Sequence, residues 1–321
     1  SYPHCWRCHN PVIFRATPQW FIGMDGKTEL RKKAVAEIRN VEWIPGWGIN
    51  RILGMVEGRP DWCISRQRVW GVPITVFYDE TNNETISSKE SFDHIADLID
   101  QHGPNVWYEW PVEKLLKSGL KSDSGKTVDP KNYRKETDIL DVWFDSGVSH
   151  AAVLTAKKND GKVSWPADLY LEGSDQHRGW FQTSLLTAVE SRGKAPFKRV
   201  LTHGFVNDAD GKKMSKSKGN VTDPMEFSAK YGSEILRIWV VVEDYRNDVS
   251  FSMETVERVS ESYRKVRNTL RYILGNIYDY EESMAPKQFC ELDLWALDRT
   301  GKFLDKLKNA YDSYEFHSAY H

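Results

Sequence analysis

LYLEGSDQHRGWFQTSLLTAVESRGKAPFKRVLT, Leu169 to Thr202, changes its hydrophobic rhythm three times. Leu169 to Leu171 reads as a strand, Glu172-Gly173-Ser174-Asp175 as a polar turn, Gln176 to Ser191 as a helix, and Lys198 to Thr202 as a second strand. Strand, turn, helix and strand at this spacing make a βαβ unit. The fold class that follows is α/β, with a doubly wound parallel (Rossmann-like) sheet. Such sheets bind ligands at the carboxyl ends of their strands. Polar residues stand at both ends here: 172–176 after the first strand, and His203-Gly204 after the second.

Outward from this unit the chain divides by character. Residues 1–40 form a border segment with a short charged helix at Leu30–Ile38, and 41–79 a first part of the nucleotide-binding domain. That part holds a helix at Ile49–Glu57 and a buried strand at Ile74–Tyr78. Residues 80–136 are polar, with one helix near Ser91–Gln101, and read as an insertion lying on a core. Core character returns with TDILDVWFD, Thr137–Asp145, so 137–222 is the second part of the domain. From 223 the chain turns helical. Asp223 caps a helix opened by Pro224, Ser233–Val242 continues it, and Met253–Tyr278 repeats apolar residues three and four apart. A further helix starts near Leu292, so 223–321 is the beginning of an α-helical bundle.

A chain of 321 residues has room for two or three domains. Its net charge of −2 gives no global basic field, so any contact with nucleic acid must come from local patches. No apolar run is long enough to span a bilayer, and four cysteines do not make a disulfide framework, so a cytoplasmic location is expected. Cys5-Trp6-Arg7-Cys8 has the spacing of half a zinc site. A closed site takes four ligands, and the sequence holds no second such pair.

KKMSKSKGN, Lys212–Asn220, places four lysines in nine residues. A core cannot bury so many ammonium groups, so the loop faces water or polyanions. Its KMSKS string is the nucleotide-binding signature of class I aminoacyl-tRNA synthetases, which this chain resembles. Three more blocks carry the resemblance in order: DWCISRQRVWG (61–71), DVWFDSG (141–147) and YLEGSDQHRGWF (170–181). The last looks like the isoleucine-specific synthetases rather than their valine or leucine relatives.

The resemblance implies ATP-dependent activation of isoleucine to isoleucyl-adenylate and its transfer to tRNA(Ile), by a monomer using ATP and Mg2+. It implies that Lys213 and Lys216 are catalytic, meeting charge that develops on the phosphates. Lys213, Met214, Ser215, Lys216, Ser217, His203 and Gly204 would bind ATP. Glu172, Gly173, Asp175 and Gln176 would hold the adenylate, with Trp180 and Trp70 walling the isoleucine side chain. Asp175 would equally serve as a helix cap, and a lone tryptophan is more often core than pocket wall. Arg264, Arg267 and Arg271 share one face of the long helix and would meet tRNA; a solvated face is the commoner use of such residues. Zinc on Cys5 and Cys8 would need cysteines from outside this chain. The family's HIGH-type histidine motif and its editing domain are absent from the sequence. The expectation is a piece of a longer protein, with little activity alone. The alternative is a non-catalytic tRNA- or nucleotide-binding module derived from a synthetase.

Overall fold

The computed structural model describes every residue except 1, 6, 7, 118, 157, 158, 160 and 216–218. Its contacts divide it into two compact units: residues 1–170 with 175–200, and residues 171–174 with 201–321.

The first unit opens with β1 (Phe21–Ile22), α1 (Leu30–Ile38), β2 (Glu42–Ile44) and α2 (Gly48–Glu57). Leu30, Ala34 and Ile38, spaced four apart on α1, are fully buried, as are Ile52 and Val56 on α2. Fully burying one such aliphatic chain contributes about 1.5–3 kcal/mol, so these single faces dock both helices. Next come β3 (Trp62–Cys63), β4 (Ser65–Arg66), β5 (Phe77–Asp79), β6 (Thr85–Ile86), α3 (Lys89–His102), α4 (Val106–Glu109) and α5 (Val112–Leu115). β7 (Tyr133–Lys135), β8 (Ile139–Leu140) and α6 (Val142–Gly147) lead to β9 (Tyr170–Gly173), α7 (Trp180–Arg192) and β10 (Arg199–His203).

β10 stands between β2 and β9 in a three-stranded sheet, and Ala167 bridges Phe197 in parallel just before the two strands. The βαβ unit is therefore present. α7 buries Phe181, Leu185, Leu186 and Val189 against α1, Trp43 and Trp62. Three short antiparallel assemblies brace it: β1 with β3, β4 with β8, and β5 between β6 and β7.

Two expectations change. The polar insertion has a small core of its own, in which Phe77, Ile86, Ile95, Leu115, Leu120 and Tyr133 surround buried Trp107. The strand expected from Ile74 starts only at Phe77, because Pro73 and Ile74 are tied to Asp138 and Ile139 instead.

The second unit adds β11 (Val206–Asn207), α8 (Pro224–Tyr231), α9 (Ser233–Val242), β12 (Val249–Ser250), α10 (Met253–Ile277), α11 (Glu291–Asp312) and α12 (Phe316–Tyr320). β11 and β12 pair in parallel. Asp223 caps α8 by accepting from the Met225 N–H at 2.7 Å, with Pro224 at its first turn. Phe227, Ile235, Trp239, Phe251, Val256 and Val259 form the core of this unit. Among the described residues no helix is long and apolar enough to cross a membrane.

Candidate functional site

Within the first unit the blocks at 61–71 and 141–147 interlock through Asp141, and Tyr170 with residues 175–181 of the third block packs beside them. The Asp141 carboxylate is 5% exposed. Its Oδ2 accepts from Arg66 Nη2 at 2.9 Å and Trp62 Nε1 at 3.3 Å, and its Oδ1 caps α6 through the Trp143 N–H. The Asp141 N–H returns to the Ile64 carbonyl at 2.7 Å. DWCISRQR thus sets the start of DVWFDSG. α6 in turn holds Trp180, whose Nε1 donates to the Ser146 carbonyl at 3.1 Å and to Ser149 Oγ at 3.0 Å. One face of the Trp180 ring stacks on Tyr170, with centroids 4.1 Å apart and planes 9° from parallel.

The turn before α7 differs from the continuous helix expected from Gln176. Residues 174–178 form a 3-10 turn, and α7 begins only at Trp180. The break falls at Gly179, where a Cβ would lie 2.6 Å from Gln176 Oε1 and 2.8 Å from the Trp143 ring. Gln176 supplies the cap instead of Asp175: its Oε1 accepts from the Trp180 N–H at 2.9 Å, while its Nε2 donates to Asp175 Oδ2 at 3.0 Å. Asp175 remains exposed. His177, unremarked in the sequence, is buried between Trp43 and Trp47, with centroids 5.9 and 5.6 Å away, and helps seat this turn. Trp70 is 91% exposed beside Val69 at 98%, so in this unit it is a projecting ring and not an enclosed wall.

The second unit carries Glu172, Gly173, His203, Gly204 and the lysine loop. The Glu172 carboxylate is exposed and accepts from the Gly173 N–H at 3.3 Å. His203 Nδ1 is 2.7 Å from the Gly204 carbonyl, which can only accept, so Nδ1 is the donor. Gly204 is required by close approach: a Cβ there would lie 2.2 Å from the Asn247 carbonyl oxygen. Lys213 is exposed, whereas Met214 packs against the core of the unit. Lys216 and Ser217 lie outside the described residues.

Arg264, Arg267 and Arg271 are exposed along α10. The first two line an open cavity of about 560 Å³ with Lys230, Tyr231, Glu257 and Glu261. The loop containing Cys5 and Cys8 closes through hydrogen bonds between Cys5 and His9 and between Cys5 and Asn10. Among the described residues no three His, Cys, Asp or Glu side chains are grouped to hold a metal, so zinc on this pair would have to draw on other ligands.

Residues 7–252 match the family model for tRNA synthetases class I (I, L, M and V). The chain is 53% identical to the isoleucine--tRNA ligase of Persephonella marina and 54% identical to that of Geobacter sulfurreducens. Both matches cover all of this chain and 34% of the relative. The chain therefore spans about a third of the length of these relatives. Among solved structures, Mycobacterium tuberculosis methionyl-tRNA synthetase in complex with methionyl-adenylate has a TM-score of 0.65 at 19% identity, covering 98% of this chain and 52% of that one. A ternary complex of Agrobacterium radiobacter LeuRS has a TM-score of 0.61 at 21% identity, covering 81% and 34%. At these identities the structures show the fold alone.

Proposed function

The chain belongs to the tRNA synthetases class I (I, L, M and V), and on that premise we propose that it carries the lysine-loop part of an isoleucine-activating site. In the first step a carboxylate oxygen of isoleucine attacks the α-phosphorus of magnesium-bound ATP. The bond from that phosphorus to the oxygen bridging the β-phosphate breaks, and pyrophosphate leaves. A ribose hydroxyl at the tRNA terminus then attacks the carbonyl carbon of isoleucyl-adenylate; the bond from that carbon to the phosphate oxygen breaks, AMP leaves, and the hydroxyl proton passes to solvent. No covalent bond to the protein forms, so placement and charge stabilisation supply the rate.

In this reading Lys213 and Lys216 offset the charge that grows on the phosphates, while Met214, Ser215, Ser217, His203 and Gly204 complete the ATP contacts. Glu172 and Asp175 are exposed carboxylates suited to an ammonium group or ribose hydroxyls. Gly173 leaves room for close approach, and Gln176 fixes Asp175 from the side. Trp180, immobilised by its stack on Tyr170 and its two hydrogen bonds, offers a rigid edge to a hydrocarbon side chain, with Trp70 as a second aromatic contact. Arg264, Arg267 and Arg271 meet tRNA phosphates.

One observation carries this reading: 53% identity to isoleucine--tRNA ligases along the whole chain, in a sequence that keeps both GSDQH and KMSKS. The test is ATP–pyrophosphate exchange by the full-length protein with isoleucine, leucine or methionine. Exchange that depends on isoleucine is expected. Equal exchange with leucine or methionine, or none with any of the three, would overturn the assignment.

A further inference from the structure

Asn220 bonds to Asp208, in the turn that follows β11, and to the lysine segment at Lys213 and Ser215. Its Nδ2 donates to Asp208 Oδ2 at 2.7 Å and to the Lys213 carbonyl at 3.3 Å, and its Oδ1 accepts from the Ser215 N–H at 2.8 Å. The other carboxylate oxygen of Asp208 accepts from the N–H groups of Lys212 at 2.8 Å and Asp210 at 3.1 Å. The backbone reinforces this turn. The Asp208 N–H reaches the Lys212 carbonyl at 2.9 Å, and Asn207, itself paired with Ser250, bridges Lys213. Lys213 is thus held through its backbone from both sides, by Asn207 and by Asn220, while its side chain stays exposed. Met214 beside it is anchored in the core of the unit.

We propose that Asp208 and Asn220 are positioning residues for adenylate formation, a proposal that rests on the reading of this chain as part of an isoleucine-activating ligase. The first lysine of KMSKS can stabilise a transition state only if its backbone is fixed before charge develops, because ordering it during the reaction would add to the barrier. Asp208 and Asn220 supply that fixation with side chains that need not touch ATP. Asp208 also sets a negative charge beside a turn crowded with lysines. Its hydrogen bond from Asn220, with those from the turn N–H groups, holds its carboxyl below the usual range, so the charge persists at neutral pH.

The experiment measures isoleucine-dependent ATP–pyrophosphate exchange in the full-length protein. If the unaltered protein shows none, the functional reading fails and this proposal fails with it. Given exchange, Asn220→Ala, Asn220→Asp and Asp208→Asn are each expected to lower kcat/KM for ATP by about 10- to 100-fold, chiefly through kcat. The KM for isoleucine and the thermal midpoint should be nearly unchanged. Single variants within about twofold of the unaltered protein would overturn the proposal. So would single variants equally slow at transferring isoleucine from preformed adenylate to tRNA, because a merely structural lesion lowers both steps together. Three separate single variants keep this decisive even where one of them folds poorly.

Discussion

A carboxylate is stable out of water only when its oxygens are taken, and Asp141 meets that condition with Arg66, Trp62 and the Trp143 N–H. Asp141→Ala leaves the buried Trp62 N–H without its acceptor and strips the cap from α6. The expected loss is about 3 kcal/mol, less than for a fully enclosed pair because the Arg66 side chain is 42% exposed. A lowered urea midpoint at unchanged slope checks it. Asp141→Asn keeps the cap and loses the ion pair, and should cost less. His150 gives a second prediction. Burial, then the charge of Arg192, pushes its imidazole down to about 4. Its Nδ1 accepts from Trp165 Nε1 at 3.4 Å, so Nε2 donates to Thr187 Oγ1 at 3.2 Å, as a neutral ring does. The unfolded chain takes up this proton near 6.5 and the folded chain only near 4. Stability is therefore lost as pH falls through that interval. The drop in thermal midpoint between pH 7 and pH 5 should be smaller in His150→Gln than in the unaltered protein.

Elements were legible where local punctuation decides them. Leu30–Ile38 and Ser233–Val242 form the helices expected, because apolar spacing and flanking breakers fix both ends without help from elsewhere. β10 falls within a residue of expectation for the same reason, while β9 starts one residue late and runs two residues further, taking in Glu172 and Gly173 that were expected in the turn. The turn at 174–178 was not legible, since the tight space that calls for glycine at 179 is bounded in part by Trp143, a residue 36 positions earlier. Strand ends carrying Glu172 and His203 were readable as candidate ligand positions. The contact between Asp208 and Asn220 was not, because it depends on a turn that returns the chain over 12 residues. Gly204 is a test at this scale. Its N–H reaches the Tyr245 carbonyl at 2.8 Å, and the neighbouring Phe205 carbonyl accepts from the Val249 N–H at 2.9 Å. Gly204→Ala drives a methyl group into the Asn247 backbone, which cannot yield as a flexible side chain would. A loss of about 3 kcal/mol is expected, with β11 and β12 separating first. Faster hydrogen exchange at the Val249 amide reports it.

For the molecule as a whole, a net charge of −2 means that a polyanion such as tRNA meets no general attraction and must be held by local cations. Arg264, Arg267 and Arg271 are spaced three and four apart and exposed on α10, the spacing that lines up guanidinium groups along one helix face. Glu257 and Glu261 share the cavity with two of them and reduce the local potential, so in the proposed reading these arginines serve as individual phosphate contacts and not as a broad basic field. Counterion release then gives a quantitative expectation. Replacing all three by glutamine should weaken tRNA binding and reduce the slope of log affinity against log salt by about 1 per lost contact. Isoleucine activation requires no tRNA in the proposed scheme, so isoleucine-dependent pyrophosphate exchange should stay within about twofold in the same variant. A salt slope that does not move would remove α10 from the tRNA-binding surface. A parallel fall in exchange would show that the substitutions act through the fold of the second unit and not through RNA.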